Sequence, residues 1–179
     1  MENNLSRNFV GSATDVPEIP GQHRKSVVNA IILIDGLVPV FKRSKNGQSW
    51  YDLPGGKPDP IDPNDPNSRL ETIFEAIERE LWEELGIKAT ADHEVVVDAM
   101  PHPYIQGAMK TFVHCNYVSG LPYNKMPDEH DKLQLLPPYM AIQLLGERIS
   151  PFAAVALLEH PPAANEILPP VVQERHLSR

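Results

Sequence analysis

Arg79-Glu80-Leu81-Trp82-Glu83-Glu84-Leu85-Gly86-Ile87 places three carboxylates within little more than one helical turn. At 100° per residue, with Ile73 set to zero, Glu83, Glu80 and Glu84 fall at about 280°, 340° and 20°. Ile73, Ile77, Leu70, Leu81, Phe74 and Leu85 fill roughly 0° to 120°. Glu84 therefore lies inside the arc that this helix turns toward a core, where an unpaired carboxylate is costly. A positive partner is expected there. A merely solvated charged face would lie opposite the apolar arc, near 240°, where Arg79 falls with Trp82 and Glu75 beside it. Like charges at i,i+3 and i,i+4 repel unless a cation neutralises them, and clustered carboxylate oxygens select a hard divalent ion.

These residues resemble the box of the Nudix hydrolases: Gly, five residues, Glu, seven residues, then Arg-Glu-aliphatic-X-Glu-Glu-X-Gly-aliphatic. Every fixed position from Arg79 to Ile87 matches, Glu71 stands eight before Arg79, and Pro54-Gly55-Gly56-Lys57 looks like the glycine-rich entry. The run from Arg79 to Ile87 arises by chance on the order of once in ten million starting points. The departure is that fourteen residues separate Gly56 from Glu71 where the pattern has five. This longer stretch carries Asp59-Pro60, Asp62-Pro63 and Asp65-Pro66. In a polyproline II conformation its carboxylates would align on one side at spacings of roughly 9 Å, too far apart to share an ion. A stiff solvated spacer is expected, with a lid or gate as the alternative.

The resemblance implies magnesium-dependent hydrolysis of a diphosphate bond in a nucleoside diphosphate joined to another group, with manganese as a substitute metal. It implies Glu80, Glu83 and Glu84 as metal ligands together with the Gly55 carbonyl. Glu71 is assigned a water-mediated or outer place because nine residues before Glu80 is half a turn away on an ideal helix. Arg79 would orient carboxylates through its planar fork. The general base implied is Glu80 or an acidic residue outside the box, for which Glu129 in Asp128-Glu129-His130-Asp131 is the candidate. Pro103 and Tyr104 stand sixteen and seventeen positions after Ile87, where the family carries substrate markers of two kinds, so they give opposing hints. The competing reading is a nucleotide-binding sensor that keeps the fold without turnover; lost glutamates would mark it, and none is lost.

At 179 residues and 41% apolar content, the chain suits one globular domain over 25–160, with a flexible segment over 1–24 and a proline-rich tail over 161–179. Its net charge of −8 disfavours nonspecific binding to nucleic acid or an anionic membrane, without excluding a small nucleotide substrate. A homodimer is compatible with these features. The lone Cys115 reads as a small buried side chain. No membrane span or leader is visible, which implies a cytoplasmic location. Strands are expected at Val27–Ile34 and Leu37–Lys42, joined as a hairpin at Asp35-Gly36, and at Trp50–Leu53, His93–Ala99, Lys110–Val118 and Lys132–Leu136. Helices are expected over Arg69–Leu85, Pro138–Leu145 and Phe152–Glu159. With no βαβ rhythm this reads as α+β, and the resemblance implies an α/β/α sandwich around a mixed sheet.

Overall fold

The computed structural model describes residues 26–159, and the expectations for both chain ends lie outside the described residues. Strand β1 (Val27–Ile31) is the spine of the domain. Its side chains are buried on both faces: Val28 and Ala30 pack with one core, and Ile31 with another. This explains why its sequence is mostly apolar rather than alternating, the one polar residue, Asn29, being buried with its amide donating to the Leu53 carbonyl. Strand β4 (Gly55–Gly56) pairs antiparallel along one edge of β1, and β6 (Met109–Ser119) pairs parallel along the other. Strand β5 (Lys88–Pro101) completes a four-stranded mixed sheet of order β4-β1-β6-β5.

The Asp35-Gly36 turn forms, with reciprocal backbone hydrogen bonds between Ile34 and Leu37. It does not make the expected hairpin. Both edges of β1 are already taken, so β2 (Val38–Lys45) leaves for a second sheet of order β3-β2-β7, between β3 (Gln48–Asp52) and β7 (Lys132–Leu136). The true hairpin joins β2 to β3 through Asn46-Gly47, at φ of 54° and 77°. Such a pair of positive φ angles suits a tight hairpin turn, for which Asn-Gly is the strongest local signal.

Helix α1 (Ile73–Leu85) begins four residues later than Arg69. The start is set by a capping box: Thr72 accepts from the Glu75 amide while Glu75 accepts from the Thr72 amide. Gly86 stops the helix in a left-handed conformation, φ 71°, as its position suggested. Phe74, Ala76, Ile77, Leu81 and Leu85 pack on β1 and its neighbours. Each fully buried Leu or Ile contributes about 1.5–3 kcal/mol. Helices α2 (Pro138–Leu145) and α3 (Pro151–Leu158) supply Ala141, Leu145, Ala153 and Leu157 to the other core. The result is a helix–sheet–helix sandwich, and α3 is capped by Ser150 ahead of Pro151 as expected. Cys115 is buried and free.

Because the cap rather than hydrophobic periodicity fixes where α1 starts, Thr72→Ala should cost about 1 kcal/mol of stability in urea unfolding. Arg69→Ala, which removes an exposed ion pair to Glu75 and an exposed bond to the Leu70 carbonyl, should stay within about 0.5 kcal/mol of wild type.

Candidate active site

The turn from β3 into β4 brings backbone against helix α1 at two glycines that are needed for different reasons. Gly55 has φ 147°, and a Cβ there would collide with the Val28 carbonyl of the paired strand. Its amide donates to Glu84 Oε2 at 2.8 Å. Gly56 leaves room for a side chain: a Cβ at that position would run into the Glu80 carboxylate. Glu84 thus bonds Gly55, while Glu80, one turn before it on α1, lies where a Gly56 side chain would stand.

Arg79 gathers the remaining carboxylates. Its Nε and Nη2 form a fork on Glu71, at 2.8 and 2.9 Å. Nη1 donates to Glu80 Oε1 at 3.1 Å and Glu83 Oε2 at 2.8 Å, and Nη2 also donates to the Lys57 carbonyl at 2.9 Å. Glu71 reaches this hub because it lies two residues ahead of α1, outside the helix, so the half-turn separation read from ideal helical spacing does not apply. Burial works to raise the Glu71 carboxyl, but Arg79 and the Asp59 amide together hold it below the ordinary range.

Glu84 is 2% exposed, and its positive partner is part of the protein. Oε1 accepts from Arg43 Nη2 at 2.9 Å and lies 2.7 Å from His130 Nε2, while Oε2 takes the Gly55 amide. His130 is itself buried and stacks on Phe41 with ring centroids 4.1 Å apart. Arg43 and His130 escaped the sequence reading. Arg43 sits in the polar run Lys42-Arg43-Ser44-Lys45 that ends β2, and His130 lies in a turn with no periodicity to show which way its ring faces. Glu129, its neighbour and the candidate base outside the box, is exposed and donates its amide to Met126. The site residues expected from sequence thus form two knots, Glu71-Arg79-Glu80-Glu83 and Gly55-Glu84, with Glu129 apart from both.

The electrostatics are unbalanced at Glu80. Burial first, then the charge of Glu84, push its carboxyl up to about 7 against the pull of Arg79. A hard cation would relieve that strain, and the donors present are carboxylate oxygens of the matching kind. Glu80, Glu83 and Glu84 therefore fit a divalent ion chemically. Among the described residues no three carboxylate or imidazole groups already converge on one point, because Arg79, Arg43 and His130 hold the oxygens.

The inserted stretch is not an extended polyproline segment. Asp62 and Asp65 each accept from the amide two residues on, at Asn64 and Asn67, and so fold the tip into consecutive turns. Pro60 bridges Leu70, Ile61 N–H donates to the Arg69 carbonyl, and Asp59 and Glu71 bond to each other through both backbone and side chain. The arch is closed at its root, and Asp59 lies 3.5 Å from Arg79. Asp59, Pro60, Ile61, Pro63, Glu71 and Arg79 line a cleft of about 440 Å³.

A family model described as NUDIX domain matches residues 23–157. This chain belongs to the Nudix hydrolase family. Among solved structures it is similar to a MutT NUDIX hydrolase from Burkholderia pseudomallei, at 23% identity and TM-score 0.52, covering 76% of this chain and 96% of that one. It is similar to an ADP-ribose pyrophosphatase from Streptococcus suis at 18% identity and TM-score 0.52, covering 76% and 91%. A UDP-X diphosphatase aligns at 22% identity and TM-score 0.52, covering 75% of this chain and 61% of that one. At these identities the likeness is one of fold. No curated protein matches the chain. Within this Nudix hydrolase, Gly55, Glu71 and the box residues Arg79, Glu80, Glu83 and Glu84 are linked along α1 by hydrogen bonds in the two groups described above. No helix among the described residues is long and apolar enough to cross a membrane.

The raised Glu80 carboxyl has a consequence for the metal-free protein. Between about 4.5, its unfolded value, and about 7, rising pH deprotonates the unfolded chain first and so lowers stability. Glu80→Gln removes that contribution while keeping an acceptor for Arg79. The melting temperature of the variant, measured in chelator, should exceed wild type at pH 8, with the difference shrinking toward pH 5.

Proposed function

We propose that this Nudix hydrolase cleaves a diphosphate bond in a nucleoside diphosphate linked to a second group, with magnesium as the working ion. The observation that carries the reading is the pairing of Glu80, strained by burial and by Glu84, with the glycine strand that leaves room for its carboxylate. A diphosphate resists nucleophiles through its own charge, so its hydrolysis needs neutralisation and alignment more than covalent chemistry. Glu80, Glu83 and Glu84, with the Gly55 carbonyl, would hold the metal, and Glu71 would act through Arg79. The cation, when bound, would neutralise diphosphate oxygens and make a water a better nucleophile at neutral pH.

The chain's own residues do the rest. Arg79 sets the relative positions of Glu71, Glu80 and Glu83, so that two of the three box carboxylates present oxygens on one side of α1. Arg43 and His130 fix Glu84, which in turn anchors the Gly55 amide. Glu80, the box residue that the resemblance offers for the role, is the first candidate for the general base. Glu129 is the second candidate, one whose side chain would have to approach the box from an exposed turn. A small nucleotide substrate fits a cytoplasmic location.

Release of phosphate or a nucleoside monophosphate from nucleotide sugars, dinucleotides, ADP-ribose and triphosphates, with magnesium or manganese present, tests the proposal directly. Turnover of at least one class is expected, and Glu83→Gln should lower it by at least ~10-fold at limiting magnesium. Tight binding of one class with no turnover of any would instead identify a nucleotide sensor.

A further inference from the structure

Fourteen residues separate Gly56 from Glu71 where the family pattern has five. A solvated spacer would leave the two ends of such a stretch unpaired, because ordering residues costs entropy that a mere connection does not require. Here the two legs run antiparallel and bond to each other. The Glu71 amide donates to the Asp59 carbonyl at 2.8 Å, Pro60 bridges Leu70, and the Ile61 amide donates to the Arg69 carbonyl at 3.0 Å. Beyond them the tip closes on itself: the Asp62 amide donates to Ser68 Oγ, while Asp62 and Asp65 accept the Asn64 and Asn67 amides. Root and tip are thus ordered separately.

The root faces Arg79. A guanidinium carries five N–H donors in a fixed fork, and all five are engaged here. Nε donates to Glu71, Nη1 to Glu80 and Glu83, and Nη2 to Glu71 and the Lys57 carbonyl. Glu71 lies ahead of α1, so the helix does not fix it. Asp59 does. The Asp59 amide donates to Glu71 Oε2 at 3.0 Å while the Asp59 carbonyl accepts the Glu71 amide, so one residue holds both the carboxylate and the backbone of Glu71. The Asp59 carboxylate itself contributes little. It is 66% exposed and lies 3.5 Å from Nη2, whose two N–H groups are engaged elsewhere.

We propose that the root of the arch is a brace for Arg79, and that Asp59 is a positioning residue for hydrolysis that acts through its backbone amide. The hold passes from the Asp59 amide to Glu71, from Glu71 to the Arg79 fork, and from Nη1 to Glu80 and Glu83. Two of the carboxylates assigned to the cation are thereby set on α1 before it binds, in the way that outer partners orient metal ligands. The inserted stretch is then neither an inert spacer nor a lid: its paired legs act on the site and its tip does not. The inference rests on the metal assignment of Glu80 and Glu83 and deepens it.

Manganese binding to the substrate-free protein, followed by calorimetry and by loss of the free-ion paramagnetic resonance signal, tests the brace apart from turnover. Replacing Pro58–Leu70 by four glycine and serine residues gives the gap of the family pattern and removes the Asp59 amide. Asp59→Pro removes that amide alone, in backbone that Pro60 already holds extended. Both should bind manganese about tenfold or more weakly than wild type and need correspondingly more magnesium for half-maximal turnover, with most of the rate restored at saturating magnesium. Asp59→Asn, which keeps the amide, should recover most of the loss. Excising the tip, residues 62–68, and joining Ile61 to Arg69 through Asn-Gly should leave manganese affinity and the ranking of substrates as in wild type. Melting in chelator checks that each variant folds, and the replaced loop keeps the test decisive if Asp59→Pro does not. Folded root variants that bind manganese as tightly as wild type would overturn the brace alone, as would a tip excision that weakens binding or reorders the substrates. Wild type that binds no manganese would overturn the metal assignment and the brace with it.

Discussion

The buried carboxylate of Glu84 is the constraint on which the rest of the site depends. An ionised group at 2% exposure survives only with its oxygens satisfied, and Arg43, His130 and the Gly55 amide satisfy them. These partners come from β2, from the turn before β7 and from β4. One side chain on α1 therefore locks both sheets to the helix at the point where the glycine strand meets it. The backbone joins in, as the Asp131 amide donates to Lys42 and the Lys125 amide to Glu84.

Around this fixed point, repulsion is arranged rather than avoided. Three glutamates within little more than a turn would destabilise an isolated helix, and Arg79 offsets part of that by reaching Glu71, Glu80 and Glu83 together. The compensation is incomplete at Glu80, whose carboxyl is displaced to about 7. Strain of this kind is typical of a site prepared for a ligand of opposite charge. The inserted arch enters the same network through Asp59 and the Lys57 carbonyl, so its root belongs to the Arg79 arrangement even though its tip folds on its own turns.

The local signals in the chain were read best where one residue type has one strong conformational consequence. Gly86 as a left-handed stop and Ser150-Pro151 as a helix start appear in the structure as expected. The strand Lys132–Leu136 and the helix Pro138–Leu145 have the bounds that their patterns suggested. Errors arose where two local signals competed. Asp35-Gly36 and Asn46-Gly47 are both good hairpin turns, and only the second joins paired strands, because β1 has no free edge. The period of Leu70 and Ile73 suggested an early helix start, yet Thr72 and Glu75 closed a capping box inside that span.

By itself the sequence determined the family, the box glutamates and the expectation that Glu84 needs a positive partner, since these follow from residue identity at short, fixed separations along one helix. Only the tertiary structure decided what that partner is. Arg43 and His130 lie 41 and 46 residues from Glu84, and their meeting is fixed by which strands pair. Sheet pairing depends on which edges remain free, a property of the whole assembly that no window of the chain contains. The same reason hid the hold of the Asp59 amide on Glu71, 12 residues along the chain: each is an ordinary polar residue in its own segment, and the contact appears only where the fold sets the two legs of the arch side by side.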